Sequence, residues 1–252
     1  GEASALFDIA RAAAGSSDRS RVVDSFEQAL QIWRSLNDQM DQAKVLRELG
    51  MFYYHQGDQQ KALEFYTQSL QLQELLGDKF PHAVLLDDIG LVYWHLGEPQ
   101  KALEYFAQAE SYFRAANRRL NLASTLDNMG KVYNETGETE KALESYKESL
   151  AVKEAIGDKK GQAITLHNMG VLTEERGDKE KALEYYTQAL SLRQALGDKA
   201  GQARTLSNIA DLNDGLQDKQ KALIAYGEVL KIERESGNKA NEAGALDHIG
   251  GV

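Results

Sequence analysis

The chain repeats itself every forty residues, and no other property limits its fold as strongly. Residues 157–196 read GDKKGQAITLHNMGVLTEERGDKEKALEYYTQALSLRQAL, and residues 197–236 return as GDKAGQARTLSNIADLNDGLQDKQKALIAYGEVLKIERES. Forty residues earlier, Gly130 stands for Gly170, Gly137 for Gly177 and Lys141-Ala142-Leu143-Glu144 for Lys181-Ala182-Leu183-Glu184. A fixed period in the range of roughly 20–50 residues marks an array of stacked modules. Each module buries its apolar face on its neighbours, so the 252 residues need not be divided into conventional domains.

Two helices per module follow from the spacing. Ala43, Leu46, Leu49, Gly50 and Tyr53 share one helical face, and the same column continues as Ala83, Leu86, Ile89, Gly90, Tyr93 and as Ala123, Leu126, Met129, Gly130, Tyr133. A second helix carries Ala62, Leu63, Tyr66 and Leu70, repeated as Ala142, Leu143, Tyr146, Leu150 and as Ala182, Leu183, Tyr186, Leu190. Gly57-Asp58 and its copies stand between them: glycine accepts the left-handed conformation that ends a helix, and the acid suits the next N-terminus. A second apolar column on the first helix, Phe52, Val92, Val132, Leu172 and Leu212, requires a neighbouring module to cover it. Glycines 50, 90, 130 and 170 fall mid-helix, where glycine costs about 1 kcal/mol relative to alanine. Their register predicts close approach of two backbones, with alanines 62, 102, 142, 182 and 222 as the facing small surface.

The pattern predicts six helix pairs, at about 1–36, 37–76, 77–116, 117–156, 157–196 and 197–236, then one unpaired helix over 237–252. In that last helix Leu246 and Ile249 are expected to lie uncovered. The whole of 1–252 reads as a single domain.

Composition removes several function classes. The formal charge of −10 opposes nucleic-acid binding, which relies on concentrated basic surface. The absence of cysteine excludes disulfides, thiol nucleophiles and thiolate metal sites. No apolar run approaches the roughly 18 residues needed to cross a bilayer, and the expected location is cytoplasmic. No Ser/His/Asp set is recognisable, and the turn at 157–161 lacks the Gly-Lys-Ser/Thr ending of a phosphate loop. His55 and His95 stand in equivalent positions without a convincing third ligand. The expectation is a non-enzyme with no cofactor and no metal.

Leu126, Met129, Gly130, Tyr133, Ala142 and Tyr146 together resemble the tetratricopeptide repeat, in the forty-residue variety found in kinesin light chains and the Pins/LGN adaptors. Leucine stands where that family has its first large residue, tryptophan, and Gly-Asp replaces the closing proline. The resemblance implies an all-α fold, a right-handed α-solenoid with first helices lining a concave groove and second helices outside. It also implies that an extended or helical peptide occupies the groove.

Residues opposite the buried face of each first helix are the candidates for peptide contact. One column reads Glu48, Asp88, Asn128, Asn168, Asn208, His248. Asparagine is a poor mid-helix residue, and its amide both donates and accepts, so three in register suit pairing with the backbone of an extended peptide. The same amides bonding one another across adjacent helices is the alternative. A neighbouring column reads Arg47, Asp87, Asp127, His167, Ser207, Asp247; with Asp88 its carboxylates suit a lysine or arginine on the ligand, or form a solvated acidic face. The column Met51, Leu91, Lys131, Val171 and the edge residues Tyr54 and Trp94 complete the set. Trp94 is either a binding anchor or packed between two first helices.

The expected function is a scaffold that binds a protein or peptide partner bearing basic and apolar residues, with neither nucleic acid nor membrane as partner. Two alternatives remain at this stage. One is a regulatory array cut from a larger signalling protein and contacting its neighbouring effector domain. The other is self-association through the terminal repeats.

Overall fold

The computed structural model describes residues 1–15 and 18–252, and the described residues form thirteen α-helices and no strand. Clustering of contacts divides the chain into two units, Gly1–Val132 and Tyr133–Val252. The first holds α1 (Glu2–Ala13), α2 (Arg19–Ser35), α3 (Gln39–His55), α4 (Gln59–Leu76), α5 (Lys79–His95), α6 (Pro99–Ala115) and most of α7 (Arg119–Glu135). The second holds α8 (Thr139–Ile156), α9 (Lys159–Glu175), α10 (Lys179–Ala195), α11 (Lys199–Gly215), α12 (Lys219–Ser236) and α13 (Lys239–Gly251). Odd-numbered helices are the first of each pair.

The breaks between helices have a repeated chemistry. Gly57 takes φ +80°, as a tight helix ending requires, and Asp58 then accepts a hydrogen bond from the Lys61 N–H at 3.1 Å. Asp18, Asp38, Asp178, Asp198 and Asp218 cap their helices in the same manner. Gln217 carries the same left-handed turn at φ +62° without being glycine. Pro99 opens α6, where its missing N–H costs nothing.

Both apolar columns of the first helices are buried. Leu46, Leu49 and Phe52 pack with Val22, Phe26 and Leu30 in the first unit, and Leu206 and Ala210 pack with Tyr226 and Val229 in the second. Each such side chain gains about 1.5–3 kcal/mol on burial, so every junction rests on several of them. In α13 Leu246 is exposed as the pattern predicts, whereas Ile249 packs against the Tyr226 cluster instead of lying uncovered.

The mid-helix glycines serve a different contact from the one expected. A Cβ on Gly50, Gly90 or Gly170 would lie 2.4, 2.6 or 2.5 Å from a ring carbon of Tyr66, Phe106 or Tyr186. The glycine is a notch for an aromatic ring from the second helix, not a place where two backbones meet. The alanines at 62, 102, 142, 182 and 222 are fully buried beside that ring, one turn before it.

Candidate functional site

Where the ring seated in the notch is a tyrosine, its hydroxyl can reach the polar side of the first helices, as Tyr186 shows. The Tyr186 hydroxyl donates to Glu174 Oε2 at 2.7 Å and accepts from Asn208 Nδ2 at 3.1 Å. Burial, then the bond to Glu174, pushes the Tyr186 phenol above its ordinary range, so it remains a donor. One period on, the Tyr226 hydroxyl donates to Asp211, which is not the position matching Glu174.

In the first unit this side is tied together by one ion pair and one hydrogen bond between successive first helices. Arg47 Nε donates to Asp88 Oδ2 at 2.7 Å, and the Thr125 hydroxyl donates to Asp87 Oδ1 at 2.7 Å. Burial pushes the Asp87 carboxyl up to about 7, against the Thr125 bond that favours its charged form. Burial also raises Asp88, opposed by Arg47. Asp127 is buried, and Asn128 is half-buried without a hydrogen-bond partner among the described residues. The register supplies the reason for Asn128: the residue matching Tyr186 is Phe106, which has no hydroxyl.

The aromatic edge of this unit is also partly occupied. Half-buried Tyr54 sets its ring edge-on to His95 at 5.3 Å, and His95 Nδ1 lies 2.8 Å from the Leu91 carbonyl. Half-buried Trp94 meets the His95 ring at 5.2 Å, and Lys131 Nζ stands 5.9 Å above the indole. The Tyr54 ring also meets the His55 ring edge-on at 5.4 Å, so both histidines contact it.

In α9 and α11 of the second unit the positions matching Asp87 and Asp88 are uncharged, His167 and Ser207 in one column and Asn168 and Asn208 in the other. His167 is buried with Nδ1 3.4 Å from the Thr205 hydroxyl and its ring 5.5 Å from Tyr186. Burial, reinforced by Arg193 and Arg204, lowers its pKa to about 4, so the imidazole is neutral at pH 7. Asn208 bonds the Tyr186 hydroxyl rather than another amide. Asn168 has no hydrogen-bond partner among the described residues, and its Nδ2 is shielded from solvent.

Sequence reasoning passed over a buried column that shapes this unit. Lys153 donates to the Thr165 hydroxyl at 2.7 Å, and Arg193 donates to the Gly201 carbonyl at 2.6 Å and to the Thr205 hydroxyl. The signal was present: a basic residue near the end of the second helix, with glycine and threonine eight and twelve residues later, recurs at 153 and 193.

The notch, the caps and the forty-residue period coincide with one family. The sequence profile of the tetratricopeptide repeat matches residues 23–75, 41–115, 81–155, 121–195 and 161–235. The chain belongs to that family. No curated protein matches the sequence. Among solved structures, this tetratricopeptide-repeat chain is similar to BtubC (BKLC) from P. vanneervenii, with a TM-score of 0.79 at 20% identity over 88% of this chain and 94% of that one. It is also similar to a signal transduction ATPase with numerous domains from Pyrococcus horikoshii that carries a tetratricopeptide-repeat sensor. That TM-score is 0.74 at 19% identity, covering 99% of this chain and 38% of the ATPase. The quorum sensor NprR from B. thuringiensis gives 0.74 at 19% identity over 97% and 68%. At these identities the likeness shows a shared α-solenoid fold. No described helix is long and apolar enough to cross a membrane.

Proposed function

We propose that this repeat array is a protein-interaction module that holds an extended segment of a partner along the polar side of its first helices. The observation that carries this reading is Asn168, a half-buried mid-helix asparagine whose amide has no hydrogen-bond partner among the described residues. Half-buried Asn128 offers an unpartnered amide to a peptide backbone, and the Asn168 side chain, held by no hydrogen bond among the described residues, is free to turn its amide toward a bound segment. Asn208 would contribute through its carbonyl oxygen, since its Nδ2 is engaged by Tyr186. Trp94 and Tyr54 would supply apolar contact in the first unit.

Asp87 and Asp88 enter this reading in a reduced role. Asp88 is neutralised by Arg47 and Asp87 is engaged by Thr125, so a basic ligand side chain would have to compete for them. Selection of binders from a random peptide library, followed by titration of Asn168→Ala and Asn128→Ala, tests the proposal. Each substitution should weaken binding about threefold to tenfold with helicity unchanged, the loss of one or two hydrogen bonds. Unaltered affinity in both variants would remove the asparagine reading.

A second reading is favoured by the extent of one likeness: 99% of this chain aligns with 38% of a multidomain ATPase whose repeats are described as a sensor. On that reading the partner is a neighbouring effector domain. Sequencing the surrounding gene tests it, and an uninterrupted reading frame with no further domain would count against it.

A further inference from the structure

The second unit contains a cavity of about 680 Å³ between α11, α12 and α13. Its apolar wall is formed by Ala203, Val229, Ile232 and Ala245, and Glu233 lies in the same wall. Glu233 is 7% exposed; its Oε1 accepts from Asn241 Nδ2 at 3.2 Å, and the Ser236 hydroxyl, 3.3 Å from Oε2, is shared with the Glu233 backbone carbonyl at 2.9 Å. No ion pair to Glu233 is formed among the described residues. A carboxylate so enclosed ordinarily has a cationic partner, because two neutral donors replace only part of its lost hydration.

The preceding modules show what is missing. One period earlier the buried position is Arg193, hydrogen-bonded to the Gly201 carbonyl and to Thr205; two periods earlier it is Lys153, bonded to Thr165. Both cations run past a glycine, since a Cβ on Gly161 or Gly201 would meet Lys153 Cδ at 2.9 Å or Arg193 Cδ at 2.8 Å. In the last module all three positions change together: Glu233 replaces the cation, Asn241 the glycine and Ala245 the threonine. Ser207 also stands where His167 stands one period earlier. Glu233, Ala245 and Ser207 are shorter than the residues they replace and open the space, while Asn241 fills the place of the glycine, and the buried charge is reversed.

We propose that this cavity binds a primary alkylammonium group, its aliphatic stem against Val229 and Ile232 and its ammonium on Glu233. The group supplied in cis at 153 and 193 is here taken from a ligand, either the lysine side chain of a partner or a free aliphatic amine. Lys199 and Arg204 also border the cavity, but both are exposed, and Lys199 lies 3.8 Å from Glu235, so water and that acid screen their repulsion. The site is independent of the asparagine column, although Asn208 borders it.

The test is methyl NMR of the full chain titrated with pentylammonium chloride, with Nα-acetyl-lysine amide and with 1-pentanol. Saturable shifts at Val229 and Ile232 with either amine, and at least tenfold weaker binding of 1-pentanol, are expected. Glu233→Gln keeps the side-chain volume and should weaken amine binding at least tenfold, and Ala245→Leu should narrow the cavity at its apolar wall and weaken it as well. Binding of the blocked lysine identifies a side chain on a chain as an admissible source; binding of pentylammonium alone assigns the site to free amines. Equal binding of 1-pentanol, equal affinity in Glu233→Gln, or no saturable shift would overturn the proposal. Asn168→Ala should bind pentylammonium normally, so a failure of the peptide-binding reading leaves this result untouched.

Discussion

The two units carry the same backbone pattern with opposite polar chemistry. On the first, Arg47 is closed by Asp88, and Asp87 bonds Thr125 across to α7. On the second, the residue matching Asp87 is neutral His167, and the buried polar column is cationic at Lys153 and Arg193. Asp88 becomes Asn168, which has lost any counterpart to Arg47, because Asp127 stands where Arg47 does. The period therefore conserves shape while electrostatics are set junction by junction.

The largest expected effect tests what the units share. Gly90→Val and Gly170→Val should each cost about 3 kcal/mol, since the added carbons overlap the Phe106 and Tyr186 rings. Thermal melts showing similar losses would support one notch geometry in both units. A loss confined to one of them would show that the units unfold separately.

A second experiment separates the units by pH. Asp87 is raised to about 7, so its contribution to stability is present below pH 4 and is lost as the pH rises towards 7. His167 is lowered to about 4, so its contribution is present above pH 6.5 and is lost as the pH falls towards 4. Denaturant titrations across pH 4–7 should show Asp87→Asn gaining stability relative to wild type as pH rises. His167→Gln should lose the acid sensitivity that the buried imidazole confers. Parallel slopes for both variants would contradict the assigned environments.

Removing one carboxylate sharpens the contrast further. Asp88→Ala leaves the partly buried Arg47 guanidinium unpaired and should cost about 1–2 kcal/mol, between the worth of an exposed and an enclosed pair. Asn168→Ala, at the same position one unit on, breaks no bond within the protein and should change stability by less than about 0.5 kcal/mol. Chemical denaturation of both variants under one condition makes the comparison.

The smallest effect concerns the lysines that open each second helix. Lys101 Nζ stands 5.1 Å from the Tyr93 ring centroid and Lys181 Nζ 5.2 Å from that of Tyr185. Both are exposed, so Lys101→Ala and Lys181→Ala should leave the melting temperature unchanged in either unit. A clear loss in one alone would reveal a contribution that its exposure does not suggest.

The fold was legible because apolar spacing and Gly-Asp breaks act locally, so helix number and helix ends follow from each module by itself. The notch was only half legible. Glycine in register signals a close approach, but nothing in a linear pattern distinguishes a facing backbone from the Tyr66 ring. The polar columns were harder still. Arg47 and Asp88 are 41 residues apart, and one position of stagger between successive first helices decides whether an acid meets a base or faces solvent. Lys153 and Arg193 escaped notice because a basic residue near a helix end ordinarily lies in water, and only the paired glycine and threonine indicate that these two turn inward.

That stagger makes the order of modules part of the structure. Excising residues 77–116 would preserve the apolar pattern and the number of residues per turn, yet bring Asn128 to the place of Asp88 beside Arg47. The shortened chain would keep its hydrophobic seams and inherit an unmatched guanidinium at the new joint. Gain or loss of whole modules is therefore tolerated by the frame and penalised at the seam, which ties each copy to its present neighbours.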